Sequence, residues 1–232
     1  MKKSHISKVK IKYISFSVAA IFAVLLISGT SFYFNKEEPS QSASVKSRSV
    51  LLDEAATSAL TDDILTASNA SLFIENEELE SDLTALITDY LNAKLTLNSE
   101  TLESLILSDA AIDYKKLGRK VEYIESYENI KTYIADGIKG IDYVIYVTYD
   151  VRFPMTSAPA PSLEEFYVKK TDGAYKLYMN PLSETASSYV LELREEPQVQ
   201  KLINDTTKQL MAALDSDSNL LDIYNSFLST SN

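Results

Sequence analysis

Enzymatic chemistry in most of this chain would have to rely on carboxylates and tyrosines. The chain contains no cysteine, and its single histidine is His5, near the N-terminus. These absences exclude thiol nucleophiles, cysteine metal sites and a Ser–His–Asp arrangement in the main part of the chain. The 5 glycines form no glycine-rich loop that could cradle a phosphate. Proton transfer by a carboxylate, assisted by tyrosine hydroxyls, is the reaction type that remains.

The best candidates for a polar site lie on a strictly alternating segment, residues 143–153. Asp150 and Arg152 fall on one face of this segment, and Tyr146 lies on the same face. The alternative is that this face is half-exposed and that Asp150 and Arg152 pair across strands with little net gain. Acidic clusters elsewhere lack the pattern of a calcium loop, so neither a metal nor another cofactor is expected.

The strands that position these residues are predicted from periodicity. Alternation over β-prone residues at 143–153 is typical of a long strand. A shorter strand near 130–134 precedes it, and a hairpin over 165–179 follows it around a Thr-Asp-Gly turn. The segment therefore predicts four strands in an antiparallel meander.

Helical spacing is found before and after the strands. Asn76 is predicted to cap a helix with one apolar face, and Ser99 and Asp109 are expected to cap two shorter helices. Glu196 followed by Pro197 predicts the start of a further helix, because proline is common at the first position of a helix. We expect the helices that precede the strands to cover one face of the sheet.

A proline-containing segment, residues 154–162, is predicted as a long, stiff loop between two strands. Pro154, Pro159 and Pro161 restrict its backbone, and a two-residue turn could have closed the same connection. Stiff segments lose little entropy on binding, which favours partner docking. The alternative is a rigid surface loop without a function.

Residues 14–34 form an uncharged apolar run that predicts one transmembrane helix. At 1.5 Å per residue the run reaches about 30 Å, which is the thickness of the hydrocarbon core. Lysines precede it, whereas the charges that follow it nearly cancel, so the N-terminus is expected in the cytoplasm. A cleaved signal peptide with small residues at 29–31 is the alternative.

The charge distribution restricts the partners of the exported part. The chain has a formal net charge of -11, and the part after residue 34 is more acidic still because several lysines precede the membrane run. Such a surface repels phosphate backbones, so no nucleic acid is expected as a partner. It also repels anionic lipids, so the domain should project away from the bilayer. Because disulfides are absent, a bacterial surface is favoured over a eukaryotic one.

The order of three short helices followed by a four-stranded meander resembles the nuclear-transport-factor-2-like cone fold. The most specific parts are the strand at 143–153, Ala158-Pro-Ala-Pro-Ser162, and Phe166-Tyr-Val168. In these segments the chain is similar to membrane-anchored exported proteins of Gram-positive bacteria. Its architecture also resembles that of envelope assembly domains. The resemblance implies a concavity that often binds a small molecule. It also implies that Asp150 is the candidate base of an isomerase-like site.

Together these observations predict an α+β protein with an N-terminal transmembrane helix, helices packed on a curved four-stranded antiparallel sheet, and C-terminal helices. The expected divisions are a cytoplasmic basic tail (1–13), a transmembrane helix (14–34), a spacer or stalk (35–76), a cone-like α+β domain (77–181) and a C-terminal helical extension (182–232).

The expected function is a non-enzymatic one, in protein interaction or assembly at the bacterial cell envelope, with this chain itself or other envelope proteins as partners. The candidate interaction surface consists of Pro154, Pro159, Pro161, Tyr146, Tyr167 and Tyr178. The alternative is a cone that binds a small molecule, or a proton-transfer enzyme that uses a carboxylate.

Overall fold

The computed structural model describes residues 71–138 and 140–230, and within them it contains six helices and five strands. These are α1 (Glu77–Thr96), α2 (Ser99–Leu105), β1 (Ile106–Leu107), α3 (Tyr114–Val121), β2 (Ser126–Asp136), β3 (Asp142–Arg152), β4 (Ala160–Thr171), β5 (Ala174–Tyr178), α4 (Glu184–Glu195), α5 (Pro197–Ser216) and α6 (Ser218–Thr230). The predicted cytoplasmic tail, transmembrane helix and most of the spacer lie outside the described residues. Among the described helices, none is long and apolar enough to span a bilayer.

The sheet contains the predicted meander and one further strand. Its order is β1-β5-β4-β3-β2, and β2 to β5 pair antiparallel. The prediction of four strands was wrong by one, because β1 pairs parallel with β5, with Ile106 opposite Leu177. A strand of two residues is too short for alternation to reveal it. The α+β class is confirmed, and the order of the elements is consistent with a cone-like fold.

Helices cover both faces of the sheet, whereas one covered face was expected. The inner face of the sheet is the face that carries Val147, Tyr149, Glu164 and Phe166. Helix α1 covers this face, and the ring of its Tyr90 lies 5.7 Å from the ring of Phe166. The opposite, outer face lies under α4 and α5. Burial on both faces explains why the middle of β3 is apolar without interruption.

The helix starts agree only in part with the prediction. Asn76 caps α1, and its side chain accepts a hydrogen bond from the Leu79 backbone N–H at 3.0 Å. The cap of α2 is Asn98, one residue before the predicted Ser99. The cap of α3 is Asp113 instead of Asp109, and its side chain accepts a hydrogen bond from the Lys116 backbone N–H at 2.9 Å. The Asp109 N–H donates to the side chain of Asn180 at 2.7 Å. Residues 108–113 therefore form a loop that is tied to the end of β5.

The connection between β3 and β4 is shorter than predicted. Strand β4 begins at Ala160, so Pro161 and Ser162 belong to a strand and not to the loop. Pro161 lies opposite Asp150 of β3. Within β4, residues 168–171 are the ones that pair with β5, so among the described strands β4 has a single neighbour, β3, around Pro161. Proline is tolerated at such an edge.

Candidate functional site

The structure places Asp150 and Arg152 on the outer face, and they do not pair with each other. Asp150 accepts a hydrogen bond from the Asn129 side-chain amide at 2.7 Å. Arg152 forms an ion pair with Glu128 at 3.4 Å, across β2 and β3. Asn129 has a φ of 53° in the bulge that interrupts the β2–β3 pairing, and this bulge directs its amide toward Asp150. The polar residues of this face are thus engaged in contacts with one another.

A polar groove of about 610 Å³ separates these residues from α5. Asp150 and Pro161 line its sheet side, and Lys201 and Asp205 line its helix side and pair with each other. Charges of both signs are therefore balanced within the groove. Among the described residues that line it, no carboxyl is buried in the way that a general base of raised pKa requires.

The tyrosines of the predicted interaction surface are mostly buried. Tyr146 is 2% exposed and lies against Phe73, and Tyr167 is 9% exposed, with Tyr178 half-buried beside it. The Tyr167 hydroxyl donates to Asp142 at 3.0 Å, and burial, with the Asp142 carboxyl, raises the pKa of Tyr167 to about 12. The expectation of an exposed sheet face was wrong, because α4, α5 and the segment before α1 cover it.

The loop after β3 is held in one conformation by Asp217. The Asp217 carboxylate accepts hydrogen bonds from the Ser157 hydroxyl and from the backbone N–H groups of Ser157, Ala158 and Leu220. These donors hold the pKa of Asp217 well below its usual range. Met155, next to the exposed Pro154, is consequently fixed at the loop tip with 89% of its surface exposed.

The inner face contains a buried polar cluster of Lys94, Glu164, Tyr149 and Tyr127. Lys94 follows Tyr90 by one helical turn, so both point from α1 toward the sheet. Glu164 shares its face of β4 with Phe166, two residues on. Helical and strand periodicity therefore direct an amine and a carboxyl into the same interior.

Electrostatics distinguish this cluster from the surface ion pairs. Glu164 is completely buried, and its Oε2 accepts a hydrogen bond from the Tyr149 hydroxyl at 2.9 Å, whereas its Oε1 has no hydrogen-bond partner among the residues that the structure describes. Burial raises the pKa of Glu164, and the charge of Lys94 opposes this rise. Burial also lowers the pKa of Lys94, whose Nζ lies 5.0 Å from the Tyr90 ring centroid. Burial raises the pKa of Tyr127 as well.

A cavity of about 450 Å³ opens next to this cluster, between α2, α3 and the 108–113 loop. Its wall is mainly apolar and includes Leu102, Ile106, Ile112, Leu117, Met179 and Pro181. Lys94 and Lys120 also line it, whereas Glu164 does not. The exposed residues Asp109, Asp113 and Lys116 also line the cavity, so its mainly apolar wall carries three lysines and two carboxyls.

The sequence indicated Lys94 of this cluster and missed Glu164. Lys94 falls on the apolar face of α1, as its spacing from Tyr90 predicts. Glu164 was assigned to no strand, although it lies in β4 just after the proline-containing segment. The signal that could have identified it is the alternation from Ser162 through Glu164 to Phe166.

Comparisons with known proteins are sparse. No protein-family model matches this chain, and no curated protein matches it either. The chain is similar to a solved LEH-like epoxide hydrolase of M. tuberculosis, with 13% identity over 50% of this chain and 96% of that chain, and with a TM-score of 0.24. Similarity at this level carries no argument about activity. The α+β architecture is established by the helices and strands described above, and the comparisons assign the chain to no family.

Proposed function

We propose that residues 71–230 form a ligand-binding domain that takes a small molecule with an apolar body and one anionic group. The N-terminal apolar run would hold this domain outside the membrane of a bacterial cell. The observation that carries the proposal is the apolar cavity of about 450 Å³ with Lys94 and Lys120 in its wall.

The size and lining of the cavity suit an apolar body. Ligand sites typically have volumes of about 300 to 1,000 Å³ and are lined mostly by hydrophobic side chains with a few placed polar groups. Leu102, Ile112 and Leu117 come from three different segments and face the same space. An alkyl chain or a small ring system would displace water from these side chains, which is favourable by about 25 cal/mol per Å² of buried apolar surface.

The two lysines provide the specificity for an anion. Lys94 is buried, so an anion that reaches it would interact in a medium of low effective dielectric constant. Lys120 lies half-buried at the same wall, and burial lowers the pKa of its amine. The domain as a whole is acidic, so simple anions are repelled at long range, and the apolar body must contribute much of the affinity.

The role is one of binding and not of catalysis. Glu164 is buried on the inner face but lies outside the cavity wall, and the carboxyls that do line the wall, Asp109 and Asp113, are exposed. A general base must reach within hydrogen-bond distance of the proton that it abstracts. In the proposed arrangement the ligand meets Lys94 and Lys120 first, and neither tyrosine hydroxyls nor carboxylates of the cluster contact it directly.

A second candidate function, protein docking, is favoured by the loop at 153–159. Asp217 fixes this loop, and the Asn219 side-chain amide donates to the Met155 carbonyl at 2.9 Å. An almost fully exposed methionine at the tip of a rigid loop can insert its side chain into an apolar pocket of a partner protein. Pro154 and Pro159 would restrict the loop further. Substitution of Met155 by Glu should then abolish crosslinks to other envelope proteins in intact cells, and unchanged crosslinks would contradict this candidate.

Calorimetric titration of octanesulfonate into the full chain in lipid nanodiscs tests the main proposal, with octanol as the uncharged probe and empty nanodiscs as the reference. We expect saturable binding of octanesulfonate that Lys120→Met weakens about tenfold, which is the loss of one charge-assisted contact. Lys115→Met removes an exposed lysine of the same helix outside the cavity and should change nothing. Equal binding by both variants, or no binding above that of empty nanodiscs, would contradict the proposal.

A further inference from the structure

We propose that the polar groove between the outer face of the sheet and α5 binds a short, neutral oligosaccharide. The groove has a volume of about 610 Å³, within the range of about 300 to 1,000 Å³ that is typical of ligand sites. It shares no lining residue with the apolar cavity among those that the structure describes, so it is a second, independent site.

Helix α5 turns a mainly polar face toward the sheet, although the side of a helix that faces a sheet is usually apolar. The residues of α5 that line the groove recur every three or four positions, as one helix face requires: Gln198, Lys201, Leu202, Asp205, Thr206 and Gln209. On the opposite wall, β2 and β3 contribute Lys131, Thr148 and Asp150. Two polar walls thus enclose unfilled space, and such departures from close packing are expected where a protein binds a ligand.

The side chains that line the groove, among the described residues, carry no net charge. Lys131 and Lys201 provide two positive charges, and Asp150 and Asp205 provide two negative ones. An anion is in addition repelled by the acidic chain, whose formal net charge is -11, whereas a cation meets the two lysines. The lining therefore favours an uncharged ligand that offers many hydrogen-bonding groups.

Two donor–acceptor pairs in the groove suit neighbouring hydroxyl groups on a sugar ring. The Asn129 side-chain amide donates to the Asp150 carboxylate at 2.7 Å, and the Lys201 ammonium group donates to the Asp205 carboxylate. A carboxylate accepts about four hydrogen bonds, an amide nitrogen donates about two and an ammonium group about three, so these pairs retain capacity for a ligand. One hydroxyl group can donate to the carboxylate while its neighbour accepts from the amide or the ammonium group.

Aromatic rings in the same groove provide an apolar surface for the carbon-bound hydrogens of a sugar ring. Phe73 and Tyr133 are half-buried and line the groove, with their ring centroids 5.5 Å apart. The Ile74 N–H donates to the Ile134 carbonyl at 2.8 Å, which fixes the segment that carries Phe73 against β2. The rings are therefore positioned before a ligand arrives, which lowers the entropic cost of binding.

An extended peptide suits the groove less well than an oligosaccharide. One common mode of peptide binding adds a strand to the edge of a sheet, where backbone groups are still available. Thr148 and Asp150 belong to β3, whose backbone already pairs with β2 on one side and with β4 on the other. Recognition at this wall therefore depends on side chains, which match hydroxyl groups.

Methyl NMR of the full chain in nanodiscs tests the proposal with three neutral trisaccharides: cellotriose, maltotriose and triacetylchitotriose. Each is titrated to about 50 mM, because an open groove binds with modest affinity. We expect at least one of them to shift the Leu202 methyl signals saturably and to leave those of Leu102 and Leu117, in the apolar cavity, unchanged. Asp150→Ala should weaken this binding about tenfold. Asp136→Ala, at an exposed position of β2 outside the groove, should bind as the wild type does.

The outcomes are decisive for the groove and separate from those for the apolar cavity. No saturable shift at Leu202 with any of the three trisaccharides overturns the proposal, and so do equal affinities of wild type and Asp150→Ala. Should Asp150→Ala fail to fold, Lys201→Ala at an exposed position of α5 should bind about fivefold more weakly, and unchanged affinity overturns the proposal. A capped, uncharged serine–glycine tetrapeptide that binds at Leu202 as tightly as the best trisaccharide also overturns it. Binding of octanesulfonate in the apolar cavity is unaffected by any of these results.

Discussion

Removal of Lys94 should destabilise the protein in a strongly pH-dependent way. In Lys94→Met the aliphatic stem is largely kept and the charge is lost, so the completely buried Glu164 loses the larger of the two positive charges, Lys94 and Lys120, that lower its pKa. Loss of one partner of a buried pair typically lowers the free energy of unfolding by about 3 to 5 kcal/mol. Protonation of Glu164 removes most of this penalty, so the loss should be small when the carboxyl is neutral.

The sign of the pH dependence follows from the pKa of Glu164. Burial raises its pKa in the folded state above that in the unfolded state, and without Lys94 it rises further. Between these two pKa values the folded state binds more protons than the unfolded state, so stability falls as the pH rises. Urea unfolding followed by circular dichroism should therefore show a loss of about 3 kcal/mol for Lys94→Met near pH 8 and little loss near pH 4.

The double variant Lys94→Met/Glu164→Gln completes a thermodynamic cycle. Because neither charge then remains in the interior, we expect the double variant to lose less stability than the sum of the two single losses, by about 2 kcal/mol. The amide side chain that Glu164→Gln introduces carries no charge, and its oxygen can still accept the hydrogen bond from Tyr149. Equal losses for Lys94→Met at both pH values, or additive losses in the double variant, would refute the argument that the two groups share a buried interior.

Three further predictions concern the framework. Asp217→Asn should free the 153–159 loop and increase its cleavage in limited proteolysis. The pKa of Asp217 is depressed in the folded state, so its stabilising effect is lost as the pH falls. The cleavage rates of wild type and variant should therefore become equal in acid. Arg194→Met breaks the paired hydrogen bonds at 2.9 Å to Glu165 that join α4 to β4 and should lower the unfolding free energy by about 2 kcal/mol. Leu83→Ala, at a completely buried position of α1, should cost about 3 kcal/mol in urea unfolding, and a loss below about 1 kcal/mol would contradict its place in the core.

Periodicity was sufficient to predict the meander and the first helix. The alternation at 143–153 and the turn at 171–173 correspond to β3 and the β4–β5 hairpin. Asn76 caps α1 as predicted, since capping depends on local chemistry alone. Both features are determined by residues close in sequence.

Long-range features could not be predicted in the same way. Strand β1 exists only because Ile106 and Leu107 meet the edge of β5, far along the chain. The burial of Tyr146 depends on α4 and on the segment before α1, which strand alternation alone does not reveal. The placement of Lys94 and Glu164 in one interior likewise depends on which face of β4 packs against α1.

Methyl NMR of the full chain in nanodiscs, titrated with octanesulfonate, tests the central claim that the inner-face cavity binds an apolar anion. The methyl groups of Leu102, Ile112 and Leu117 line this cavity, whereas those of Leu202 line the polar groove on the outer face. We predict saturable shifts and ligand contacts at the first three and none at Leu202. Shifts confined to Leu202, or no saturable shift at any of the four, would contradict the proposed function.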